Sequence, residues 1–70
     1  MTTFQELIND FERRWPDWKW VIYKQLIYGP RAFATWDRVE VTTPYNETHK
    51  TVEAAFQSLI TQMENFHAQQ

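Results

Sequence analysis

The side chains that could carry out catalytic chemistry are few and scattered. Ser58 is the single serine, and it lies in a stretch with helical spacing, without the glycines that a nucleophile elbow requires. The two histidines, His49 and His67, lack the short spacing of paired metal ligands. The chain contains no cysteine, so it has no thiolate nucleophile or thiolate metal ligand. We therefore expect neither an enzyme nor a metal or cofactor site.

Carboxylates are the other candidates for acid-base chemistry. Two amphipathic helices could bring together Glu6, Asp10, Glu12 and Glu64. Paired acids act as general acid and base only where their surroundings separate their pKa values. Acids are ordinary on helix surfaces, and nothing in this pattern indicates a buried pair. We expect these four to be solvated.

Aromatic and basic residues point instead to binding. Aromatic residues make up 17% of the 70 residues, including four tryptophans. A domain of this size buries only about 60% of the surface of its unfolded chain, so some of these rings should face a partner. The net charge is −2, yet residues 13–38 carry +4 and the two flanking segments −3 each. A solvated sheet surface also accounts for this uneven distribution.

Length and composition limit the class of protein. Seventy residues predict a single domain, 1–70, and the absence of cysteine excludes a disulfide-stapled scaffold. No run of apolar residues approaches the 18 that predict a membrane span, and the first residues do not have a signal-peptide pattern. We expect a cytoplasmic protein that does not interact with membranes.

Two amphipathic helices should begin and end the domain. The first is predicted over Phe4 to Arg14, with a capping box formed by Thr3 and Glu6 and an end imposed by Pro16. The second should begin after Thr51 as N-cap and fray from His67 onward. Apolar residues recur at helical spacing in both segments. In the first they are Phe4, Leu7, Ile8, Phe11 and Trp15; in the second they are Val52, Ala55, Phe56, Leu59, Ile60, Met63 and Phe66.

Between the helices the pattern favours a hairpin. Residues 18–27 and 32–43 are rich in aromatic and β-branched residues, although a helix over 18–27 remains an alternative. A turn at 28–31 would place Trp20 opposite Val39 and Tyr23 opposite Trp36. A third short strand could start near Arg38. The predicted fold is α+β, α-β-β-α, with a small antiparallel sheet against the two helices.

In that register an aromatic pair lies on the sheet face away from the helices. Tyr23 and Trp36 would be its anchors, with Lys19, Arg31 and Arg38 as charges at the rim. Exposed apolar patches with charged rims are typical of protein-binding surfaces. We therefore expect a protein partner, either foreign or a second copy in a homodimer. A helix on each face would instead bury the pair.

The alternative function is single-stranded nucleic-acid binding by segment 13–38. Its rings could stack on bases while its cations meet phosphates. The overall acidity of the chain counts against tight binding of this kind.

Two short motifs resemble a group of small uncharacterised phage and prophage proteins. They are Trp15-Pro16-Asp17-Trp18-Lys19-Trp20 and Thr51-Val52-Glu53-Ala54-Ala55-Phe56. The resemblance implies an α/β sandwich and no known activity. By analogy, it also implies an inhibitor that binds and blocks a host or defence protein.

Overall fold

The computed structural model describes residues 3–44 and 46–69. Its order is α-β-β-β-α, which confirms the α+β fold and adds the third short strand that the sequence allowed. The elements are α1 (Phe4–Arg14), β1 (Lys19–Gln25), β2 (Gly29–Trp36), β3 (Val39–Thr42) and α2 (Val52–Ala68).

Helix α1 begins and ends as its sequence predicts. The Thr3 hydroxyl accepts from the Glu6 amide at 3.2 Å, and the Glu6 carboxylate accepts from the Thr3 amide at 3.4 Å. This reciprocal pair satisfies amide groups that have no partner within the helix. At the other end, the Trp15 amide donates to Phe11, and Pro16 prevents a further turn.

Helix α2 begins at the predicted cap but is longer than predicted. Thr51 accepts from the Ala54 amide at 3.1 Å, and Glu53 places an acid in the first turn, where the helix dipole favours it. Fraying was expected from His67 onward, but residues 67 and 68 are helical, and Gln70 lies outside the described residues. The His67 ring holds this end of the helix by donating through Nδ1 to the Met63 carbonyl at 2.8 Å.

The sheet is antiparallel, with β2 between β1 and β3. Trp20 pairs with Ala34, and Tyr23 pairs with Arg31, so the predicted register is wrong. The cause is that residues 26–28 form the first turn and the chain turns again after Trp36. The predicted register differs by an odd number of residues, and such a shift moves the side chains of β2 to the opposite face relative to those of β1.

Both helices lie on one side of the sheet. Helix α2 packs against all three strands, and α1 packs against α2. Phe56 is the centre of this core, because its fully buried ring makes edge-to-face contacts with three others at centroid distances of 5.1–5.7 Å. These are the rings of Phe4, Phe11 and Trp20. We call this side the inner face and the opposite side the outer face.

Candidate protein-binding surfaces

The outer face carries apolar side chains near β1. Tyr23 and Phe33 contact each other there at 6.1 Å between ring centroids. Val21 pairs with Phe33 across the strands and is 43% exposed, while Lys19 is exposed farther along the same face. Since both helices pack on the inner face, neither covers these groups.

The turn between β1 and β2 is the most exposed apolar feature of the described residues. Leu26 is fully exposed at 106%, Ile27 is 82% exposed, and Tyr28 is 44% exposed. We call these three residues the hairpin tip. Turns ordinarily use Gly, Asn, Asp, Ser or Pro, whose backbone preferences or side-chain hydrogen bonds suit the bend. Two exposed aliphatic residues at this position do nothing for the core.

Gly29 fixes the base of the hairpin tip. Its φ of +74° lies in the left-handed region, which favours glycine. A Cβ at this position would lie 2.3 Å from the His49 carbonyl oxygen. The segment that leads into α2 therefore passes directly against the start of β2. The single glycine of the chain stands where both the backbone angle and the space require it.

Arg31 is a buried structural residue, which corrects its prediction as an exposed rim charge. It is 1% exposed, and its Nη2 donates to the Thr43 carbonyl at 2.6 Å. Thr43 is itself buried, and its amide donates to Ala32 at 3.1 Å. The guanidinium thus holds the chain as it leaves β3. This environment is created by the segment after the sheet, so strand alternation alone could not predict it.

The other predicted site residues lie apart from one another. Lys19 and Tyr23 remain on the outer face, but Trp36 belongs to the inner-face set and packs against Trp18 at 6.2 Å. Arg38 is exposed in the turn between β2 and β3, at the opposite end of β2 from the hairpin tip. The predicted pair of Tyr23 and Trp36 is therefore not formed.

A second apolar surface lies between the connection from α1 to β1 and the end of β2. It is an open hollow of about 160 Å³, which we call the tryptophan groove. Trp36 is its most exposed tryptophan, at 47%. Its lining consists of Arg14, Trp15, Pro16, Asp17, Trp18 and Trp36.

The arginine of this groove is held by protein partners. The Arg14 guanidinium lies 4.4 Å from the centre of the Trp15 ring and donates to Glu64 at 2.8 Å and to Asp10 at 3.2 Å. The bond to Glu64 is the main cause that raises the pKa of Arg14. Asp10 also accepts from Arg13, and that bond contributes most to lowering the pKa of Asp10.

Basic residues of segment 13–38 do not gather on one surface. Arg13 and Arg14 are bound to acids of the helices, and Arg31 is buried. Lys24 and Arg38 lie at opposite ends of the β1–β2 hairpin. A single-stranded nucleic acid would need cations along one track with the stacking rings. The geometry therefore does not favour that alternative.

Ser58, Glu47 and His49 meet in space, which sequence spacing did not reveal. The Ser58 hydroxyl donates to Glu47 at 2.9 Å, and His49 Nε2 lies 3.3 Å from the same carboxylate oxygen. In a catalytic triad the histidine stands between the serine and the acid, so that it can take the serine proton. Here the acid stands between them. This order makes the cluster a link between the loop and α2.

The described residues hold no group of three potential metal ligands. Within the same residues, no helix is long and apolar enough to cross a membrane. Comparisons of the chain with protein-family models, with curated proteins and with solved structures find no match. The resemblance to phage proteins stays a prediction.

Proposed function

We propose that this chain is a small protein-binding module whose hairpin tip enters an apolar cleft on another protein. The exposure of Leu26 and Ile27 is the observation that carries this proposal. Burial of one such side chain is worth about 1.5–3 kcal/mol. Folding does not bury Leu26 or Ile27, so this stabilisation would arise only when a partner's cleft buries them.

The contact surface extends from the hairpin tip onto the outer face. Tyr28 adds an aromatic ring at the tip, and the outer face adds Val21, Tyr23 and Phe33 farther from the tip. Tyrosine is common among the residues that dominate interface energies. Of the residues predicted from the sequence, Tyr23 and Lys19 belong to this surface.

Charge narrows the class of partner. Strand β1 carries two exposed lysines, Lys19 and Lys24, and no acid. Complementary potentials across an interface raise the association rate and exclude wrong partners. The partner should therefore have an apolar cleft with carboxylates at its rim. The phage resemblance adds the proposal that this partner is a host or defence protein, which the chain would inhibit by occupying the cleft.

Site-specific photo-crosslinking tests the proposal. A photoreactive phenylalanine analogue replaces Leu26, and a matched protein carries it at Asp37, an exposed position in the other turn of the sheet. In a lysate of the cells that encode the chain, we expect one dominant adduct from position 26 and none from position 37. Excess unlabelled wild-type protein should abolish the adduct, whereas the variant Leu26→Ser/Ile27→Ser should not.

Each other result has a definite meaning. Equal competition by wild type and the serine variant would show that the hairpin tip does not bind the crosslinked protein. An adduct of two copies of the chain would assign the tip to a homodimer and overturn the proposal of a foreign partner. A nucleic-acid adduct would restore the alternative function.

A further inference from the structure

We propose that the tryptophan groove is a second binding site, which takes a proline-rich segment of a protein in the polyproline II conformation. It lies at the end of the sheet opposite the hairpin tip and does not depend on the function proposed for the tip. Indole rings and the Pro16 ring line the hollow, which is open to solvent. Polyproline II segments bind in open grooves with aromatic walls.

Three of the residues that line the groove carry indole N–H groups, which are hydrogen-bond donors. Within residues 3–44 and 46–69, no protein group accepts from the indole nitrogens of Trp15, Trp18 and Trp36. Tryptophan N–H groups usually have a partner when they become buried. A polyproline II backbone makes no internal hydrogen bonds, so its carbonyl oxygens remain free to accept from such donors.

The charges of the groove favour a segment with a basic residue beside its prolines. Asp17 is exposed in the lining and makes no ion pair with the described residues. The groove's cation, Arg14, is already bound to Asp10 and Glu64. The uncompensated charge is therefore negative, which complements Lys or Arg on the segment.

The same geometry disfavours two other ligands of aromatic sites. A nucleic acid would bring phosphates toward the Asp17 carboxylate, with Arg14 already occupied. A quaternary ammonium needs open ring faces around it. The Trp18 and Trp36 rings contact each other at 6.2 Å between centroids, which leaves no room for a cation between them.

Fluorescence anisotropy with synthetic peptides tests the site. The probe is a labelled ten-residue peptide with a Pro-x-x-Pro core and an arginine beside it, and a second peptide has glutamate in place of the arginine. We expect saturable binding, roughly two- to fivefold tighter for the arginine peptide, as an exposed ion pair allows. Asp17→Lys should reverse this preference. Because Asp17 is exposed, this variant should fold normally.

Two aromatic variants locate the site. Trp36→Ala should weaken peptide binding by about tenfold or more, as loss of an aromatic anchor does. Tyr28→Ala removes a ring of similar exposure at the hairpin tip and should leave binding unchanged. No saturable binding, an equal effect of both variants, or an unchanged preference in Asp17→Lys would overturn the proposal. Tighter, Trp36-dependent binding of a single-stranded thymidine oligonucleotide would assign the groove to nucleic acid instead.

Discussion

The two turns of the sheet differ in what they contribute. The turn between β2 and β3 is two polar residues, Asp37 and Arg38, with φ of +48° and +68°. Positive φ at both positions gives a tight turn that matches the twist of the paired strands. The turn between β1 and β2 holds the apolar hairpin tip and ends at Gly29. Backbone geometry thus accounts for the residues of the β2–β3 turn. The exposed side chains of the β1–β2 turn, by contrast, do not stabilise the fold.

Gly29 joins the hairpin tip to the rest of the domain. We expect substitution of this residue to cause the largest loss of stability. Gly29→Ala should lower the free energy of unfolding by at least about 2 kcal/mol, because alanine is strained at positive φ and its Cβ would overlap the His49 carbonyl. Urea denaturation measures this change. Gln25→Ala, on the other side of the same turn, is the control and should change stability by less than about 1 kcal/mol. Equal effects would show that the close approach to His49 is unimportant.

Arg31 should behave as a core residue. Arg31→Ala removes the donor to the Thr43 carbonyl and leaves that buried acceptor without it. We expect a loss of about 1–3 kcal/mol in the free energy of unfolding. Lys19→Ala, at an exposed position of β1, should cost less than about 0.5 kcal/mol. A similarly small effect at Arg31 would return this residue to the surface role that the sequence predicted.

The turn between β2 and β3 should accept glycine readily. Arg38 has positive φ and is exposed, so Arg38→Gly relieves the strain without removing core contacts. We expect a gain of about 0.5–1 kcal/mol in the free energy of unfolding, measured by thermal and urea denaturation. Destabilisation would mean that the Arg38 side chain, and not only the backbone, holds this turn.

The hairpin tip should have the smallest effect on stability. Leu26→Ser/Ile27→Ser removes very little buried surface, so the free energy of unfolding should change by less than about 0.5 kcal/mol. Its solubility should rise, since an exposed apolar patch is lost. A loss of more than about 1 kcal/mol would show that the tip packs against the domain and is part of the fold.

The helices and the strand character of β1 could be predicted because local signals determine them. The Thr3–Glu6 capping box, the Thr51 cap and the apolar periodicity act within a few residues of one another. The fold class follows from these elements. Trp18 and Trp20 are partly buried and pack against the core.

Register and site could not be predicted, because they depend on contacts between distant segments. Gly29-Pro30 has the composition of a turn, yet it begins β2. Proline is tolerated at position 30 because β3 pairs with β2 only from Phe33 onward. No β3 residue lies opposite Pro30 to accept a hydrogen bond from the amide that proline lacks. The burial of Arg31 likewise comes from the segment after β3. Because the sequence pattern places the turn at 28–31, it puts Leu26 and Ile27 in a strand and does not reveal their exposure.

Amide chemical-shift mapping tests the central claim most directly. The partner recovered by crosslinking is titrated into ¹⁵N-labelled protein, and the two turns are compared in one spectrum. The largest changes should fall on residues 25–29 and on the outer-face residues of β1, with Asp37 and Arg38 unaffected. Changes centred on Asp37 and Arg38, or spread evenly over the sheet, would contradict the assignment of binding to the hairpin tip.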